Sequence, residues 1–224
     1  MTNYGAVDFI PALATFLCEN VPQCKITPSQ FDCFNIFKQI IITLPPNFHL
    51  SNQTRTSRLH STPTVKGKGW KPGMPGRFDT ALITGSPGDP HQLASLEGAR
   101  FYLFILLDNE FSFLGLHVGC ICVIFKLPFQ FTSYHHPLVY VEWFTPLRCL
   151  ETLTGMHVIS HSTRFHCQNA AIISADRIVH SCHLVGKVRL KINHDWTMDN
   201  VLDIAFHFYV NPYIDVDSFT ALKC

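Results

Sequence analysis

The sequence predicts an α+β fold that is mainly β, in the form of a small twisted β-barrel with flanking helices at both ends. Six short apolar runs, each bounded by Gly, Pro or polar turn residues, follow one another between residues 78 and 184. Such a succession is typical of a small barrel or sandwich and not of alternating βαβ units. Of the 224 residues, 47% are apolar and 15% are charged, which is enough for one sizeable domain with appendages.

The N-terminal extension, residues 1–46, is predicted to contain helical and strand elements. Residues 8–20 place apolar side chains on one helical face, and Asp8 is positioned to cap that helix. The TPSQ stretch that begins at Thr27 is typical of a second helix start, because a capping box can form there. The β-branched run that follows predicts a strand near residues 38–44.

Residues 47–77 are predicted to form a basic linker or a long surface loop, because they are rich in Ser, Thr, Pro and Gly. Neither Asp nor Glu occurs between Cys33 and Phe78. The cations of this segment can lie along a phosphate backbone, or they can simply keep a loop solvated. The residues predicted to contact nucleic acid are Arg55, Arg58, Lys66, Lys68 and Lys71.

Residues 78–190 are predicted to form the β-barrel, and one of its strands, Leu138–Pro146, carries the candidate ligand site. Alternate side chains of a strand point to opposite faces, so Tyr140, Glu142 and Phe144 share one face. One hypothesis places these three residues with Trp70 in an aromatic cage that binds a cationic ligand. The other packs the rings into the core, as most strand aromatics do.

The cysteine and histidine residues predict no metal site, and no cofactor is expected. The nine cysteines have no repeated spacing, and Cys120 and Cys122 fall on one face of a strand instead of flanking a tight turn. The apolar neighbours of Cys182 predict a small buried hydrophobe. The sequence contains no nucleophile elbow and no phosphate-binding glycine loop. The carboxylates that could serve a metal-dependent nuclease are Asp199, Asp203, Asp215 and Asp217.

The C-terminal segment, residues 191–224, is predicted to pack a helix and a tail on the barrel. Thr197 is a suitable N-cap, and apolar residues then follow a helical stripe as far as Phe208. The Asn-Pro pair that begins at Asn211 ends this predicted helix.

The order of these runs resembles a segment of proteins encoded by CACTA-like transposons of the Plavaka type in mushroom-forming fungi. The resemblance covers residues 76–218 and is carried by FDTALI, VGCICVIFKLP, PLVYVEWFTP, AAIISADRIVHSCHL and DWTMDNVLDIAFHFYVNPYID. Residues 98–115, GARFYLFILLDNEFSFLG, depart from that pattern. They are expected either to add a strand or to reflect retained non-coding sequence.

The β segment also resembles a bromo-adjacent homology (BAH) domain. That family has a V-x-x-I-F strand, an aromatic strand that ends in Pro, and a closing I-x-x-x-C element. The corresponding segments here are Val118–Phe125, Val139–Pro146 and Ile178–Cys182. The resemblance implies a twisted barrel and a role in protein contacts in chromatin, in some members the reading of histone tails.

Together these observations predict a non-enzymatic, transposon-derived interaction module that binds protein or chromatin and contacts nucleic acid non-specifically through the basic linker. The alternatives are a fragment or appendage of a metal-dependent transposase or nuclease, and a transposon relic without a function. The formal net charge of +1 gives no whole-chain bias toward nucleic acid or membrane. An intracellular, nuclear protein with no membrane partner is expected, because the N-terminus lacks a secretory pattern.

Overall fold

The computed structural model of the protein describes residues 1–44, 55–70, 72–85, 115–131, 134, 136–188, 194–197 and 199–223. The expected departure at residues 98–115 lies outside the described residues except for Gly115. The helices are α1 (Phe9–Asn20), α2 (Val201–Ile204) and α3 (Val216–Lys223). The strands are β1 (Asn35–Phe37), β2 (Gln39–Leu44), β3 (Arg55–Thr62), β4 (Arg77–Phe78), β5 (Thr80–Thr84), β6 (Leu116–Lys126), β7 (Leu138–Trp143), β8 (Cys149–Leu150), β9 (His157–Ile159), β10 (Thr163–Arg164), β11 (Cys167–Gln168), β12 (Ala170–Ser174), β13 (Ile178–Cys182), β14 (Leu184–Gly186) and β15 (Phe208–Val210).

An antiparallel six-stranded sheet forms the centre of the fold. Its strands run in the order β12–β7–β6–β5–β13, and β1 pairs with the last residues of β6. The strands β6 and β7 lie in the middle, and side chains on both of their faces are buried. This burial explains why their sequences are apolar at nearly every position and do not alternate with polar residues.

The central sheet does not close into a barrel. Among the described residues, its edge strands β12 and β13 pair with β7 and β5 respectively and not with each other. The remaining strands form three smaller sheets. The mainly β, α+β class is therefore confirmed, whereas the predicted barrel is not. Closure depends on strand tilt and on the stagger of every neighbouring pair, and the pattern within one strand carries no information about either.

A three-stranded sheet, β2–β3–β4, covers one face of the central sheet. Leu59 of β3 is fully buried in a cluster that contains Ile121 and Trp143, and Ile40 and Ile42 of β2 pack against that cluster. Each fully buried side chain of this size contributes about 1.5–3 kcal/mol by leaving water. The packing of β3 against the central sheet therefore holds the second layer in place.

The segment expected to be a linker, residues 47–77, contains β3 where a loop was expected. All six residues of β2 pair with residues of β3, in the register Gln39↔His60 to Leu44↔Arg55. Leu59 is the only large apolar residue of this strand, so its sequence has too little hydrophobic alternation to indicate a half-buried strand. Backbone pairing with β2 therefore stabilises a strand that the local hydrophobic pattern does not indicate.

Helix α1 covers one end of the opposite face, as residues 8–20 predict. Its buried side chains are Phe9, Leu13, Phe16 and Leu17. They pack in one cluster with residues of β6, β7 and β12. The side chain of Asp8 makes no capping hydrogen bond. Thr27 starts no helix within the described residues, because the segment turns through a hydrogen bond from Ser29 N to Asp32 Oδ2 (2.6 Å) and leads into β1.

A four-stranded sheet, β14–β15–β9–β8, covers the other end of that face. Its strand β15 occupies residues that were predicted to be helical. Phe208 and Val210 are buried while Tyr209 is half-exposed, which is the period of two that a strand requires. Pairing with β14 on one side and with β9 on the other stabilises residues 208–210 as a strand and not as a helix. Of the predicted helix, only Val201–Ile204 is helical.

No helix in the described part of the chain is both long enough and apolar enough to cross a membrane.

Candidate functional site

The rings of Tyr140 and Phe144 are buried, with 2% and 3% of each residue exposed. Tyr140 lies beneath α1, where its ring centroid is 6.0 Å from that of Phe9, and burial raises the pKa of its hydroxyl. Phe144 stacks on His161 at 4.9 Å, in the separate cluster beneath β15. Trp70, in contrast, is 89% exposed. The described residues therefore form no aromatic cage, and both rings belong to the core.

Glu142, the third residue of the expected cage, is half-buried and lies opposite Cys120 in the β6–β7 ladder. Burial and, secondly, the negative charge of Asp203 raise the pKa of its carboxyl. The nearby Cys122 thiol acts in the opposite direction. The ionised form of Glu142 is thus disfavoured where it stands.

The basic segment forms a β-hairpin whose tip is exposed. Ser61 and Thr62 of β3 pair with Phe78 and Arg77 of β4. Further out, Val65 and Met74 exchange two backbone hydrogen bonds of 2.8 Å. We call residues 65–74 the basic hairpin tip. Its side chains Lys66, Lys68 and Trp70 are exposed.

The residues predicted to contact nucleic acid do not share one environment. Lys66 and Lys68 lie in the basic hairpin tip, and Arg58 is exposed on β3. Arg55 instead faces inward, and its Nη2 donates a 2.6 Å hydrogen bond to Oδ1 of Asp217. Strand alternation explains the difference, since residues 55, 57 and 59 share the inner face of β3. Lys71 lies outside the described residues.

The cysteines named from the sequence are separated by the fold. Cys120 and Cys122 line the clusters beneath α1 and β15, and the Cys122 thiol donates to the Cys120 carbonyl oxygen at 3.6 Å. Cys182 is buried in the cluster beneath β15, as a small hydrophobe would be. Cys167 is exposed in β11. These thiols therefore do not surround a common centre.

Three residues from distant parts of the chain converge at the edge of the central sheet. His180 lies in the edge strand β13, Asp215 directly precedes α3, and Asp217 is in the first turn of α3. Their possible ligand atoms all lie within 4.8 Å of one another, and this is the one such group of three or more within the described residues. Nε2 of His180 is 3.8 Å from Oδ1 of Asp215 and 3.9 Å from Oδ2 of Asp217.

Of the four carboxylates named from the sequence, Asp215 and Asp217 belong to this cluster, whereas Asp199 and Asp203 do not. The sequence groups His180 with Cys182 and His183, whose spacing predicts no metal site, and gives no reason to connect His180 with the two aspartates. The one usable signal was a D-x-D pair at a helix start. Nothing in the local pattern indicates that the edge strand with His180 passes beside it.

Comparison of the chain with protein-family models, with curated proteins and with solved structures found no match.

Proposed function

We propose that this protein is a non-enzymatic interaction module that binds nucleic acid through the basic hairpin tip. The observation that supports the proposal most directly is the exposure of Lys66, Lys68 and Trp70 on one β-hairpin, in a stretch without acidic residues between Cys33 and Phe78. Two cations and an indole on a projecting ribbon match the chemistry of a phosphate backbone and of base stacking.

The proposed contact is electrostatic and independent of base sequence. Lysines release counterions when they contact phosphates, and non-specific complexes of this kind have a Kd of about 10⁻⁴–10⁻⁶ M at physiological salt. Trp70 adds a stacking surface that single strands can use, because unpaired bases offer their faces. Arg58, which is exposed on β3, is a further cation of the same hairpin. The module is proposed to act at chromatin, in keeping with its transposon-like and BAH-like resemblances.

The experiment compares two double variants by fluorescence anisotropy with a labelled duplex at several salt concentrations. Lys66→Ala/Lys68→Ala removes two cations from the basic hairpin tip, while Lys25→Ala/Lys126→Ala removes the same charge from exposed positions elsewhere. The first variant is expected to reduce the slope of log K against log salt by about 1.8, at about 0.9 per phosphate contact. The second is expected to leave the slope unchanged. Equal losses in both variants would overturn the proposal.

Trp70 is tested with single-stranded DNA. Trp70→Ala is expected to weaken binding by about 1–3 kcal/mol per stacked base, and Trp70→Phe is expected to restore most of that loss. Duplex binding is expected to change little in either variant. An unchanged affinity of Trp70→Ala for single strands would remove the indole from the proposed interface.

The second candidate function is that of a metal-dependent nuclease or transposase appendage. The specific observation in its favour is that Asp215 and Asp217 lie together with His180. Two-metal nucleases, however, hold two ions about 3.5–4 Å apart between several carboxylates, and Asp199 and Asp203 are not in this group. Incubation of plasmid DNA with the protein and Mg²⁺ or Mn²⁺ separates the two candidates, and we expect no cleavage.

A further inference from the structure

His180 is the residue that makes the cluster with Asp215 and Asp217 unusual. Only 8% of its side chain is exposed. Its Nδ1 lies 2.6 Å from the carbonyl oxygen of Ser181, which can only accept, so Nδ1 carries a proton. In the neutral form of the ring, which is the form that binds metals, Nε2 is an acceptor. It points into the cluster without a hydrogen-bond donor of its own.

The two carboxylate oxygens that face Nε2 are themselves acceptors. Oδ1 of Asp215 at 3.8 Å and Oδ2 of Asp217 at 3.9 Å are too far from Nε2 for a hydrogen bond, whose upper limit is about 3.2 Å. Lone pairs on one nitrogen and two oxygens thus face a common centre. A cation placed between the three atoms would be coordinated by all three lone pairs.

From this geometry we propose that His180, Asp215 and Asp217 bind one divalent transition-metal ion of the Zn²⁺ class. In a tetrahedral zinc site with bonds of about 2.0–2.2 Å, two ligand atoms lie about 3.3–3.5 Å apart. The distances of 3.8 and 3.9 Å from Nε2 to the two oxygens exceed that separation by about 0.5 Å. Small rotations of the two carboxylates can close this difference.

Each of the three proposed ligand side chains is oriented by at least one hydrogen bond to a neighbouring residue. Ser218 donates to Asp215 twice, from its backbone N to Oδ1 (2.7 Å) and from its Oγ to Oδ2 (3.1 Å). Arg55 donates to Oδ1 of Asp217, whose Oδ2 is the oxygen that lies 3.9 Å from Nε2 of His180. The bond from His180 Nδ1 to a carbonyl oxygen fixes the ring. This arrangement of outer hydrogen bonds is typical of metal ligands.

Charge and ligand type define the class of ion. The two carboxylates contribute negative charge to the cluster, which favours a cation. One nitrogen and two oxygens suit Zn²⁺, Co²⁺ or Mn²⁺, whereas Ca²⁺ prefers oxygen ligands alone and Cu⁺ prefers sulfur. With 36% of its side chain exposed, Asp215 leaves a path from solvent to the ion. Three protein ligands leave the fourth position of a zinc ion to water.

The experiment uses the full chain, stripped with a chelator and titrated with Co²⁺ as a spectroscopic probe. One Co²⁺ per chain is expected, with visible d–d absorption, no thiolate charge-transfer band, and displacement by Zn²⁺. The thiolate band matters because the chain contains nine cysteines. A charge-transfer band in the bound state would assign the ion to cysteine and overturn the proposal.

Two variants with a matched control locate the ion. Asp215→Asn keeps a good capping residue at the start of α3 but removes a charge, and we expect it to bind Co²⁺ at least about tenfold more weakly. His180→Gln is expected to lose binding. Asp199→Asn, an exposed change in the same C-terminal segment, is expected to have no effect. Equal affinity of Asp215→Asn and the parent protein would contradict the assignment.

A measurement on the unaltered protein covers the case in which His180→Gln does not fold. The ¹⁵N shifts of the His180 ring are followed as Zn²⁺ is added. Metal binding is expected to move the Nε2 resonance while Nδ1 stays protonated. If the Nε2 resonance does not respond, the metal site is refuted.

Discussion

Gly119 of β6 lies so close to Val141 of β7 that no side chain fits between them. A Cβ atom on Gly119 would overlap Cγ1 of Val141 and would lie 2.9 Å from Cδ1 of Ile83. The contact is at the middle of the central sheet, where β6 joins β5 to β7. The glycine is therefore required by packing, since its φ is not in the left-handed region.

Gly119→Ala is expected to lower the free energy of unfolding by about 1–3 kcal/mol, because it overpacks a closed core. The gain of about 0.4–1 kcal/mol from a stiffer unfolded chain is smaller than that loss. Urea denaturation measures the difference. In the background of Val141→Ala the same change is expected to cost much less. If the two losses simply add, the proposed overlap is not the cause.

The turn between β10 and β11 is expected to be stabilised by substitution. Phe165 and His166 have φ angles of 52° and 63°, a left-handed conformation that costs bulky residues of order 1–3 kcal/mol. Replacement of this pair by Asn-Gly, the preferred sequence for such a turn, is expected to raise stability by about 1–2 kcal/mol.

The control for the turn is Cys167→Gly, one residue further along in β11. Glycine has no conformational advantage there, so this change is expected to destabilise by about 0.5–1 kcal/mol. Thermal denaturation of both variants provides the comparison. Equal effects of the Asn-Gly replacement and of Cys167→Gly on stability would argue against strain at Phe165 and His166.

Glu142 is expected to make the stability of the protein depend on pH. Because its pKa is raised in the folded state, the folded protein keeps a proton that the unfolded chain releases near its ordinary pKa of about 4.3. The stability that this proton provides is complete below that value and is lost as pH rises through the higher folded pKa. Glu142→Gln is therefore expected to raise the melting temperature at pH 7.

The same comparison at low pH is its own control. Below the unfolded pKa the carboxyl is neutral in both states, so Glu142→Gln and the parent protein are expected to melt at similar temperatures there. Calorimetry at several pH values distinguishes the two cases. A variant that is less stable than the parent at pH 7 would show that the carboxylate has a favourable partner.

Cys182 is expected to resist alkylation in the folded protein. Burial raises the pKa of its thiol to about 12, and only the thiolate is nucleophilic. Iodoacetamide at pH 8 followed by mass spectrometry is expected to label the exposed Cys149 and Cys167 and to leave Cys182 unmodified. In denaturant all three are expected to react. Rapid labelling of Cys182 under native conditions would mean that β13 opens readily.

The positions of α1 and of most long strands could be predicted, because their signals are local. The strands β6 and β7 are continuous apolar runs bounded by Gly, Pro or polar residues, and α1 carries one apolar face. The strand β3 could not be predicted, because Leu59 is its only large apolar residue. The strand β15 was mistaken for a helix, because Phe208 also fits a helical stripe and its two partner strands lie far away in sequence.

The candidate sites also divide into features that local sequence predicted and features that depend on tertiary packing. The basic segment was recognisable from composition, and two of its lysines are exposed at the hairpin tip. The aromatic cage was not supported, because alternation places Tyr140 and Phe144 on one face without indicating what covers that face. Arg55 was grouped with the exposed cations, although Asp217, 162 positions away, accepts a hydrogen bond from it.

The amino-acid sequence alone determined the mainly β class, the helix α1 and the absence of acidic residues between Cys33 and Phe78, since all three follow from neighbouring residues. Only the tertiary structure decided that the central sheet stays open, that the Tyr140 and Phe144 rings are buried, and that His180 meets Asp215 and Asp217. The physical reason is that these outcomes depend on how separate sheets and helices pack. Packing brings together residues that are distant in sequence, so no local pattern predicts their contact.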